Sequence, residues 1–159
     1  MGGMGRAGRY GIRPARSRDA AGVRECAEQA FARCTARIGR RPAPMDAAFA
    51  AVIAAGEVHV AEDLRGSPLG FVAFLSSEES QMFPESAAVL PRAAGQGVGR
   101  ALIAFCEETA RSHGLAAVRL QTNAAMAEPR ALYLRLGYVV TGRRTETGFN
   151  RVHFIRMLA

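Results

Sequence analysis

The sequence contains no tryptophan and no lysine, and only three of its 159 residues are cysteines. An odd number of cysteines without a CxxC spacing argues against a disulfide framework and against a zinc site. We expect Cys26, Cys34 and Cys106 to be reduced thiols among apolar neighbours, as is usual in a cytoplasmic protein. The absence of lysine also excludes the phosphate-binding P-loop, because its motif ends in Gly-Lys-Ser/Thr.

Long apolar runs are absent as well, since no stretch approaches the ~20 apolar residues that a membrane-spanning helix needs. Residues 1–9 carry glycine and arginine without an apolar stretch behind them, so they do not read as a secretory signal. Hydrophobic residues make up 49% and charged residues 22% of the chain, which is typical of a globular domain. We therefore expect a flexible tail over residues 1–8, a single domain over residues 9–159 and no membrane partner.

The basic residues are all arginines, 21 against 14 acidic residues, which gives a net charge of +7. An arginine excess can serve a nucleic acid or a small polyanionic ligand, because the guanidinium fork matches phosphate oxygens. The simplest interpretation is that the source of this protein generally uses arginine as its basic residue. The arginines are scattered, with Arg40–Arg41 and Arg143–Arg144 as the only adjacent pairs, and aromatic residues make up 7% of the chain. This pattern disfavours a nucleic-acid partner.

Hydrophobic periodicity predicts a mixed α/β domain with the element order βααβββαβαββ. The alternation of strands and helices in the second half implies parallel neighbours there, and the hairpins imply antiparallel pairs, so we expect an α+β mixed sheet. The predicted strands span residues 10–13, 57–62, 69–75, 85–90, 117–122, 138–141 and 151–158. The predicted helices span residues 19–38, 46–55, 98–113 and 128–136.

A glycine-rich loop between a predicted strand and a predicted helix carries the strongest functional signal. Gly95, Gly97 and Gly99 alternate with other residues, so the backbone can turn tightly and approach a ligand closely. The first turn of the following helix has N–H groups without partners inside the helix, and the helix dipole favours negative charge there. This arrangement predicts a pyrophosphate cradle. The spacing is GxGxG, and so it does not match the dinucleotide-binding GxGxxG motif.

Two motifs in the second half resemble the GCN5-related N-acetyltransferase (GNAT) family. One is the family's V-x-P, followed by glycines and a helix with an early leucine, and the other is its L-Y-x-x-L-G-[FY]. This chain supplies Val89, Pro91, Gly95, Gly97, Gly99 and Leu102 for the first motif, and Leu132, Tyr133, Leu136, Gly137 and Tyr138 for the second. The predicted element order also matches the family's fold.

The resemblance implies an acyl-CoA N-acyltransferase fold and an enzyme that transfers an acetyl group from acetyl-CoA to an amine, without a metal. In this family the fourth and fifth strands splay apart, and the pantetheine arm lies in the space between them. The residues implied for cofactor binding are Ala88, Val89, Leu90, Gly95, Gln96, Gly97, Val98, Gly99, Arg100 and Asn123. The acceptor would be a small-molecule or peptide amine that attacks directly in a ternary complex, and homodimers are common in the family.

Tyr133 is the first candidate catalytic residue. In relatives, the phenol at this position lies near the thioester sulfur and protonates the leaving thiolate. The alternative interpretation is a half-buried aromatic ring that packs on the sheet at an ordinary helical core position. The surrounding motif favours the catalytic interpretation.

Glu85 is the candidate general base, because a carboxylate can take the proton of the acceptor ammonium directly or through water. Period-two alternation would place it on the strand face of Ala87 and Val89, near the splay. The alternative is an exposed glutamate at the start of a strand. His59 and Glu57 are further candidates, although a histidine in an open strand is more often simply solvated.

The chain departs from the family pattern at Ala94, where relatives usually carry an arginine or glutamine that helps to hold the pyrophosphate. Arg92 or Arg100 could take over that contact. Pro129 stands where similar relatives carry an asparagine, which leaves Asn123 as the only amide in that loop. These departures support a second hypothesis from another class, namely a catalytically idle acyl-CoA sensor or interaction domain.

Overall fold

The computed structural model describes residues 11–38, 48–76, 81–124, 127–146 and 149–158. The predicted tail over residues 1–8 lies outside these ranges. The side chains of Cys34, Glu85 and Asn123 also lie outside the described part, although their backbones belong to described elements. No helix in the described ranges is long and apolar enough to span a bilayer.

The elements follow the predicted order of seven strands and four helices. The strands are β1 (Gly11–Pro14), β2 (Val58–Glu62), β3 (Pro68–Ser76), β4 (Gln81–Val89), β5 (Ala117–Asn123), β6 (Val139–Glu146) and β7 (Phe149–Met157). The helices are α1 (Ala20–Ile38), α2 (Phe49–Ala54), α3 (Val98–Ser112) and α4 (Ala127–Arg135). Short 3₁₀ turns at Ser17–Asp19 and Pro91–Ala93 precede α1 and the glycine-rich loop.

The strands form one seven-stranded sheet in the order β1-β2-β3-β4-β5-β7-β6. The pair β4–β5 is parallel, with α3 as its crossover, and the other neighbours are antiparallel. The predicted mixed sheet is therefore confirmed. Helix α3 connects the two parallel strands because a parallel pair needs a crossover long enough to return to the same end of the sheet.

Two predicted boundaries were wrong, for the same physical reason. Strand β4 begins at Gln81 instead of residue 85, because its first residues pair with β3 as far as Met82 opposite Ser76. Strand β6 continues to Glu146 instead of ending at residue 141, because it pairs with β7 up to Phe149. Cross-strand hydrogen bonds in both hairpins override the weak strand propensity of the local sequence.

The apolar residues form two cores, one over each part of the sheet. The first core packs α1 and α2 against β1–β4, and one of its contacts is the edge-on approach of the Phe49 and Phe71 rings, whose centroids lie 5.4 Å apart. The second core packs β5 and β7 with side chains around α4. Helix α3 belongs to both, since Leu102 and Cys106 lie in the first core and Ile103 and Ala110 in the second.

Candidate active site

Strands β4 and β5 pair over only a short distance. Their register contains Gln81 opposite Ala117 and Met82 opposite Val118, and no later pair, although the backbones of both strands are described along their whole length. On its other side, β4 pairs with β3 as far as Val89. The two strands therefore part after Met82, and residues 83–89 of β4 and 119–123 of β5 border an opening that we call the gap. The splay that the family resemblance implied is confirmed.

A β-bulge interrupts β4 beside the gap. Phe74 pairs with Pro84 and Ala73 pairs with Ser86, so the register passes over Glu85. A bulge locally disrupts the alternation of a strand. Period-two alternation therefore does not hold across Glu85, and it does not place this residue on the face of Ala87 and Val89. The position of Glu85 beside the gap follows from the backbone alone.

The main chain of β4 offers different groups to its two neighbours. The Leu90 N–H donates to the Leu69 carbonyl at 2.8 Å, so this donor is used by β3. Main-chain direction alternates along a strand, and Ala88 therefore also faces β3, whereas Ala87 and Val89 face the gap. The side chains of Ala88 and Leu90 lie in the first core. Of the predicted cofactor-binding residues Ala88, Val89 and Leu90, only Val89 has main-chain groups directed to the gap. Ala87, which the sequence did not single out for cofactor binding, shares that direction.

The glycine-rich loop joins the C-terminal end of β4 to α3. Gly95 and Gly97 have positive φ angles of 80° and 86°, a conformation that residues with a Cβ rarely adopt. Gly97 is the N-cap of α3, and its carbonyl accepts the first helical hydrogen bond, from the Ala101 N–H at 3.0 Å. The N–H groups of Val98, Gly99 and Arg100 precede that bond and have no partner inside the helix.

The charge around this helix start suits an anion. The first turn of α3 contains no acidic residue, and Arg92 and Arg100 are both exposed. The Gln96 side chain is also exposed and donates back to the Arg92 carbonyl at 3.3 Å. Ala94 is exposed between these residues and offers no polar side-chain group. The loop can therefore bind a phosphate through its backbone and the helix dipole, with arginines on both sides.

Gly99 lies where α3, β4 and α4 meet, and its φ angle is not positive. A Cβ built on Gly99 would lie 3.6 Å from Val89 Cγ2 and 3.8 Å from Leu132 Cδ2, which is ordinary contact. An alanine side chain would therefore fit at this position without a clash. Gly99 differs in this from Gly95 and Gly97, because those two glycines permit the conformation of the loop.

The second family motif forms the C-terminal cap of α4. Gly137 has a φ angle of 93°, the Tyr138 N–H donates to the Tyr133 carbonyl at 3.1 Å, and the Gly137 N–H donates to the Leu134 carbonyl at 3.2 Å. This pair of bonds around a left-handed glycine is a Schellman motif. The rings of Tyr133 and Tyr138, whose centroids lie 6.2 Å apart, supply the apolar contact that accompanies it. The cap fixes the position of Tyr133 at the end of α4.

The Tyr133 ring packs edge-on against Phe154 of β7, with centroids 5.3 Å apart. Burial raises the pKa of the Tyr133 phenol to about 12, and the nearby Cys106 thiol adds to the rise. The phenol is protonated at neutral pH and can donate a proton. The preceding residue of α4, Leu132, lies near Gly99, and the Tyr133 ring contacts β7, the strand next to β5.

A buried polar cluster next to Tyr133 was missed at the level of sequence. Glu107 of α3 is 7% exposed, accepts a hydrogen bond from the Tyr138 hydroxyl at 2.8 Å and pairs with Arg156 of β7 at 2.9 Å. A signal for this cluster was available. Glu107 falls on the apolar stripe of α3, four residues after Ile103 and three before Ala110. A charged residue on such a stripe calls for a buried partner.

Of the other predicted residues, His59 and Glu57 lie away from the gap and Asn123 lies on its border. His59 is in β2, two strands away from it, and its ring contacts Phe105 with centroids 4.7 Å apart. Burial lowers the pKa of His59, and this favours the neutral imidazole. Glu57 precedes the same strand. Asn123 ends β5 on the far border of the gap, opposite Arg151 of β7. Among the described residues, no group of His, Cys, Asp and Glu is arranged to hold a metal.

A sequence model of the acetyltransferase (GNAT) domain matches residues 54–140. None of the curated proteins matches this chain in sequence. Among solved structures, a nourseothricin acetyltransferase is 27% identical, with a TM-score of 0.59 over 63% of this chain, and the match spans 64% of that chain. The ribosomal-protein-S18-alanine N-acetyltransferase of Escherichia coli is 19% identical, with a TM-score of 0.74 and 94% of each chain covered.

The yncA protein of Salmonella typhimurium, solved with its cofactor acetyl-CoA, is 20% identical, with a TM-score of 0.74 and 94% of each chain covered. At this identity the likeness shows a shared fold. The domain match covers more than half of the 159 residues and includes β4, the glycine-rich loop, α3 and α4. The chain therefore belongs to the GNAT family of acetyltransferases.

Proposed function

We propose that this acetyltransferase uses acetyl-CoA and acetylates a primary amine by direct attack in a ternary complex. The observation that carries the proposal is the gap between β4 and β5, which opens at the same end of β4 as the glycine-rich loop. An extended pantetheine arm in the gap could pair with unused main-chain groups, as an added strand does. The pyrophosphate would then reach the start of α3.

The residues present fit such a ligand. The N–H groups of Val98, Gly99 and Arg100 would bind the pyrophosphate, and the exposed Arg92 and Arg100 side chains lie close to the same loop. Main-chain groups of Ala87 and Val89, which face the gap, would hold the arm and polarise the acyl oxygen. Acetyl-CoA supplies an activated thioester, and the protein supplies orientation and charge stabilisation.

Tyr133 is the proposed general acid. A tyrosine phenol is protonated at neutral pH even at its ordinary pKa of about 10, and burial raises this pKa further. The ring is held by the cap of α4 and by Phe154. The group it would protonate is the CoA sulfur as the carbon–sulfur bond breaks. General acid catalysis contributes about 10²–10⁴-fold, and the low end applies because a thiolate is already a good leaving group.

Glu85 is the proposed general base, on the ground that the bulge sets it apart from the regular pairing beside the gap. It would take a proton from the acceptor ammonium, directly or through one water. The acceptor class stays open. The similar proteins named above include one that acts on the antibiotic nourseothricin and one that acts on a protein alanine. A small-molecule amine and a peptide amine are therefore both candidates.

The test begins with acetyl-CoA binding, measured as a shift in melting temperature. A ligand at a hundredfold excess over its Kd should stabilise the fold by ~2.7 kcal/mol. The second step is a panel of small amines and peptide N-termini, with detection of the released thiol. Binding with turnover supports the proposal, whereas binding without turnover on any amine favours an idle acyl-CoA sensor. No shift at millimolar acetyl-CoA would contradict both. Light scattering on the same sample tests whether the protein forms a homodimer.

A further inference from the structure

Glu107 is a buried carboxylate that the proposed reaction does not use. It lies on α3 and is 7% exposed, and it accepts from the Tyr138 hydroxyl and pairs with Arg156 of β7. A buried charge is costly unless it is paired and hydrogen-bonded, and here each carboxylate oxygen has its own partner. The cluster therefore has a defined geometry, and it ties α3 to the chain that follows α4.

Tyr138 belongs to two connections at once. Its hydroxyl reaches Glu107, and its N–H donates to the Tyr133 carbonyl in the cap of α4. Tyr138 is 2% exposed, so its ring cannot move far without displacing core residues. Its ring also lies 6.2 Å, centroid to centroid, from that of Tyr133. A displacement of Tyr138 would therefore be transmitted to Tyr133 through a hydrogen bond and a ring contact.

The same helix reaches the ligand site at its other end. Glu107 lies nine residues after Val98, which is about 14 Å along α3 at 1.5 Å per residue. The start of α3 holds the proposed phosphate donors, and Glu107 holds Tyr138. Helix α3 thus sets the distance between the phosphate site and the end of α4.

We propose that Glu107 is a positioning residue for Tyr133, and that it acts through Tyr138. The Glu107–Tyr138 hydrogen bond locates the end of α4 relative to α3, and so it places the Tyr133 phenol relative to a ligand anchored at the start of α3. The catalytic consequence rests on the proposed role of Tyr133 as the general acid. The geometric part of the inference does not depend on that role.

The kinetic test compares Tyr138→Phe and Glu107→Gln with a matched control. Each substitution keeps the size of the side chain and alters the bond. Turnover should fall about tenfold in both variants, because misplacement of a catalytic group by ~1 Å can cost up to 100-fold. The KM for acetyl-CoA should stay within about twofold, because the phosphate donors at the far end of α3 are untouched. Equal losses in kcat/KM and in acetyl-CoA binding would overturn the inference.

Asp19→Asn is the control, because Asp19 is also a buried carboxylate, 4% exposed, and is paired with Arg13 at 2.7 Å in the other part of the sheet. It should lower the melting temperature and leave kcat within about twofold, since it touches no group near the gap. A loss of kcat equal to that of Glu107→Gln would mean that loss of a buried ion pair alone explains the effect, and this would overturn the inference.

A double variant separates positioning from general stability. In a Tyr133→Phe background, Tyr138→Phe should change kcat by less than about twofold, because residues that act as one unit are non-additive. If the two losses multiply instead, Tyr138 acts independently of Tyr133 and the inference is wrong. If wild-type protein releases no thiol with any amine, the proposed function fails, and the geometric part is decided by the measurement described next.

The independent readout is the Tyr133 ring itself. The chain has three tyrosines and no tryptophan, so selective tyrosine labelling gives a simple NMR spectrum. The Tyr133 ring signal, assigned from the Tyr133→Phe spectrum, should shift and broaden in Glu107→Gln and stay in place in Asp19→Asn. An unchanged Tyr133 signal in Glu107→Gln would overturn the geometric part of the inference, whether or not the protein is active.

Discussion

Strands β1–β4 and strands β5–β7 belong to two cores, which differ in what surrounds their buried carboxylates. The first part has its own core with α1 and α2, and its buried carboxylate, Asp19, pairs with Arg13 at the junction of β1 and α1. The second part has a core around α4, and its buried carboxylate, Glu107, lies beside Tyr138 and Tyr133. Both carboxylate–arginine pairs join a helix region to a strand, but only the second lies next to the proposed chemistry.

The parts meet along two residue pairs of β4 and β5 and across α3, which contributes side chains to both cores. A continuous sheet would gain hydrogen bonds along the whole of β4. Here β4 pairs with β5 only at its start, and apolar packing of α3 into both cores holds the parts together. The sheet tolerates this opening because one helix, α3, packs into both cores.

The largest expected effect comes from breaking the start of α3. Gly97→Ala forces a Cβ onto a residue with a φ angle of 86° and should displace the N–H groups that follow. Acetyl-CoA affinity should fall about 100-fold, or ~2.8 kcal/mol at 1.4 kcal/mol per tenfold. That equals the loss of one or two charge-assisted hydrogen bonds at ~1.5–3 kcal/mol each. Isothermal calorimetry gives the Kd directly.

Gly114→Ala is the matched control at the other end of α3. Gly114 has a φ angle of 72°, and a Cβ there would meet nothing within 4 Å, so the substitution introduces backbone strain without a clash. Both variants should lose about 1 kcal/mol of stability. Only Gly97→Ala should lose affinity, and equal affinities in the two variants would mean that the loop does not contact the ligand.

Tyr133→Phe addresses the second part of the sheet and should lower kcat about 10–100-fold at neutral pH. The ring stays, so the contact with Phe154 and the stability should be preserved. The phenol has a raised pKa of about 12. It therefore remains protonated when the pH rises above ~8.5, the pKa of an ordinary thiol. Above that pH the thiolate leaves unaided, and the deficit should shrink.

The measurement for Tyr133→Phe is kcat across a pH series at saturating acetyl-CoA, with the melting temperature of each protein as the control. A deficit that stays constant with pH would point to a role of the hydroxyl other than proton donation. Wild-type turnover in the variant would return Tyr133 to the alternative interpretation of a packing aromatic.

Asp19→Asn tests the first part of the sheet, strands β1–β4. It should lower stability without an effect on kcat. The hydrogen bond from Arg13 lowers the pKa of Asp19 below its usual value, and so the folded state holds this proton less tightly than the unfolded state does. The stabilisation is complete above ~3.9, the pKa of the carboxyl group in the unfolded state. It is lost as the pH falls through the lower pKa that Asp19 has in the folded state. At neutral pH the variant should lose ~1.5 kcal/mol, the contribution of a hydrogen bond to a charged group.

Urea unfolding of both proteins at several pH values tests this expectation. The stability difference between wild type and Asp19→Asn should be constant at neutral and mildly acidic pH and should narrow below about pH 4. A difference that does not change with pH would show that the ionised form of Asp19 contributes nothing beyond what an amide supplies.

The sequence was sufficient for the element order and the glycine-rich loop, because hydrophobic periodicity and glycine spacing are local properties. It was insufficient where pairing between distant segments decides the outcome. The early start of β4 at Gln81 and the bulge at Glu85 are set by the register with β3, which no local pattern carries. The direction of the Leu90 N–H toward Leu69 likewise depends on that register.

The candidate site likewise contains residues that a local motif identifies and contacts that join distant segments of the chain. Motif spacing identified Tyr133, whereas its support by Tyr138 and Glu107 joins α3 to a residue 31 positions later in the chain. The motif residues Gly137 and Tyr138 were recognised as a pattern, and the structure supplies their physical reason, the helix cap of α4. The partner of Glu107 could not be chosen from sequence, because several tyrosines and arginines were available.

The smallest expected effect comes from Ala94→Arg, which adds a contact between the glycine-rich loop and the phosphates of the ligand. Ala94 is exposed and has an extended backbone, with φ −62° and ψ 144°, so a longer side chain meets no conformational obstacle. An exposed ion pair contributes only ~0.2–1 kcal/mol, and acetyl-CoA affinity should therefore rise by a factor of about 1.4 to 5. Calorimetry at low and high salt measures the gain, which should disappear at high salt because exposed charges are screened.

Ala51→Arg is the control for net charge, because Ala51 is exposed on α2 and belongs to neither the loop nor the gap. It adds the same charge to a protein that already carries +7, so any general attraction for the polyanionic ligand should affect both variants equally. A gain confined to Ala94→Arg would show that the loop has a vacant phosphate contact that arginine can fill. Equal gains would indicate long-range attraction only. No gain in either variant would mean that Arg92 or Arg100, both exposed beside the loop, already makes that contact, and the next substitution to measure would be Arg100→Gln.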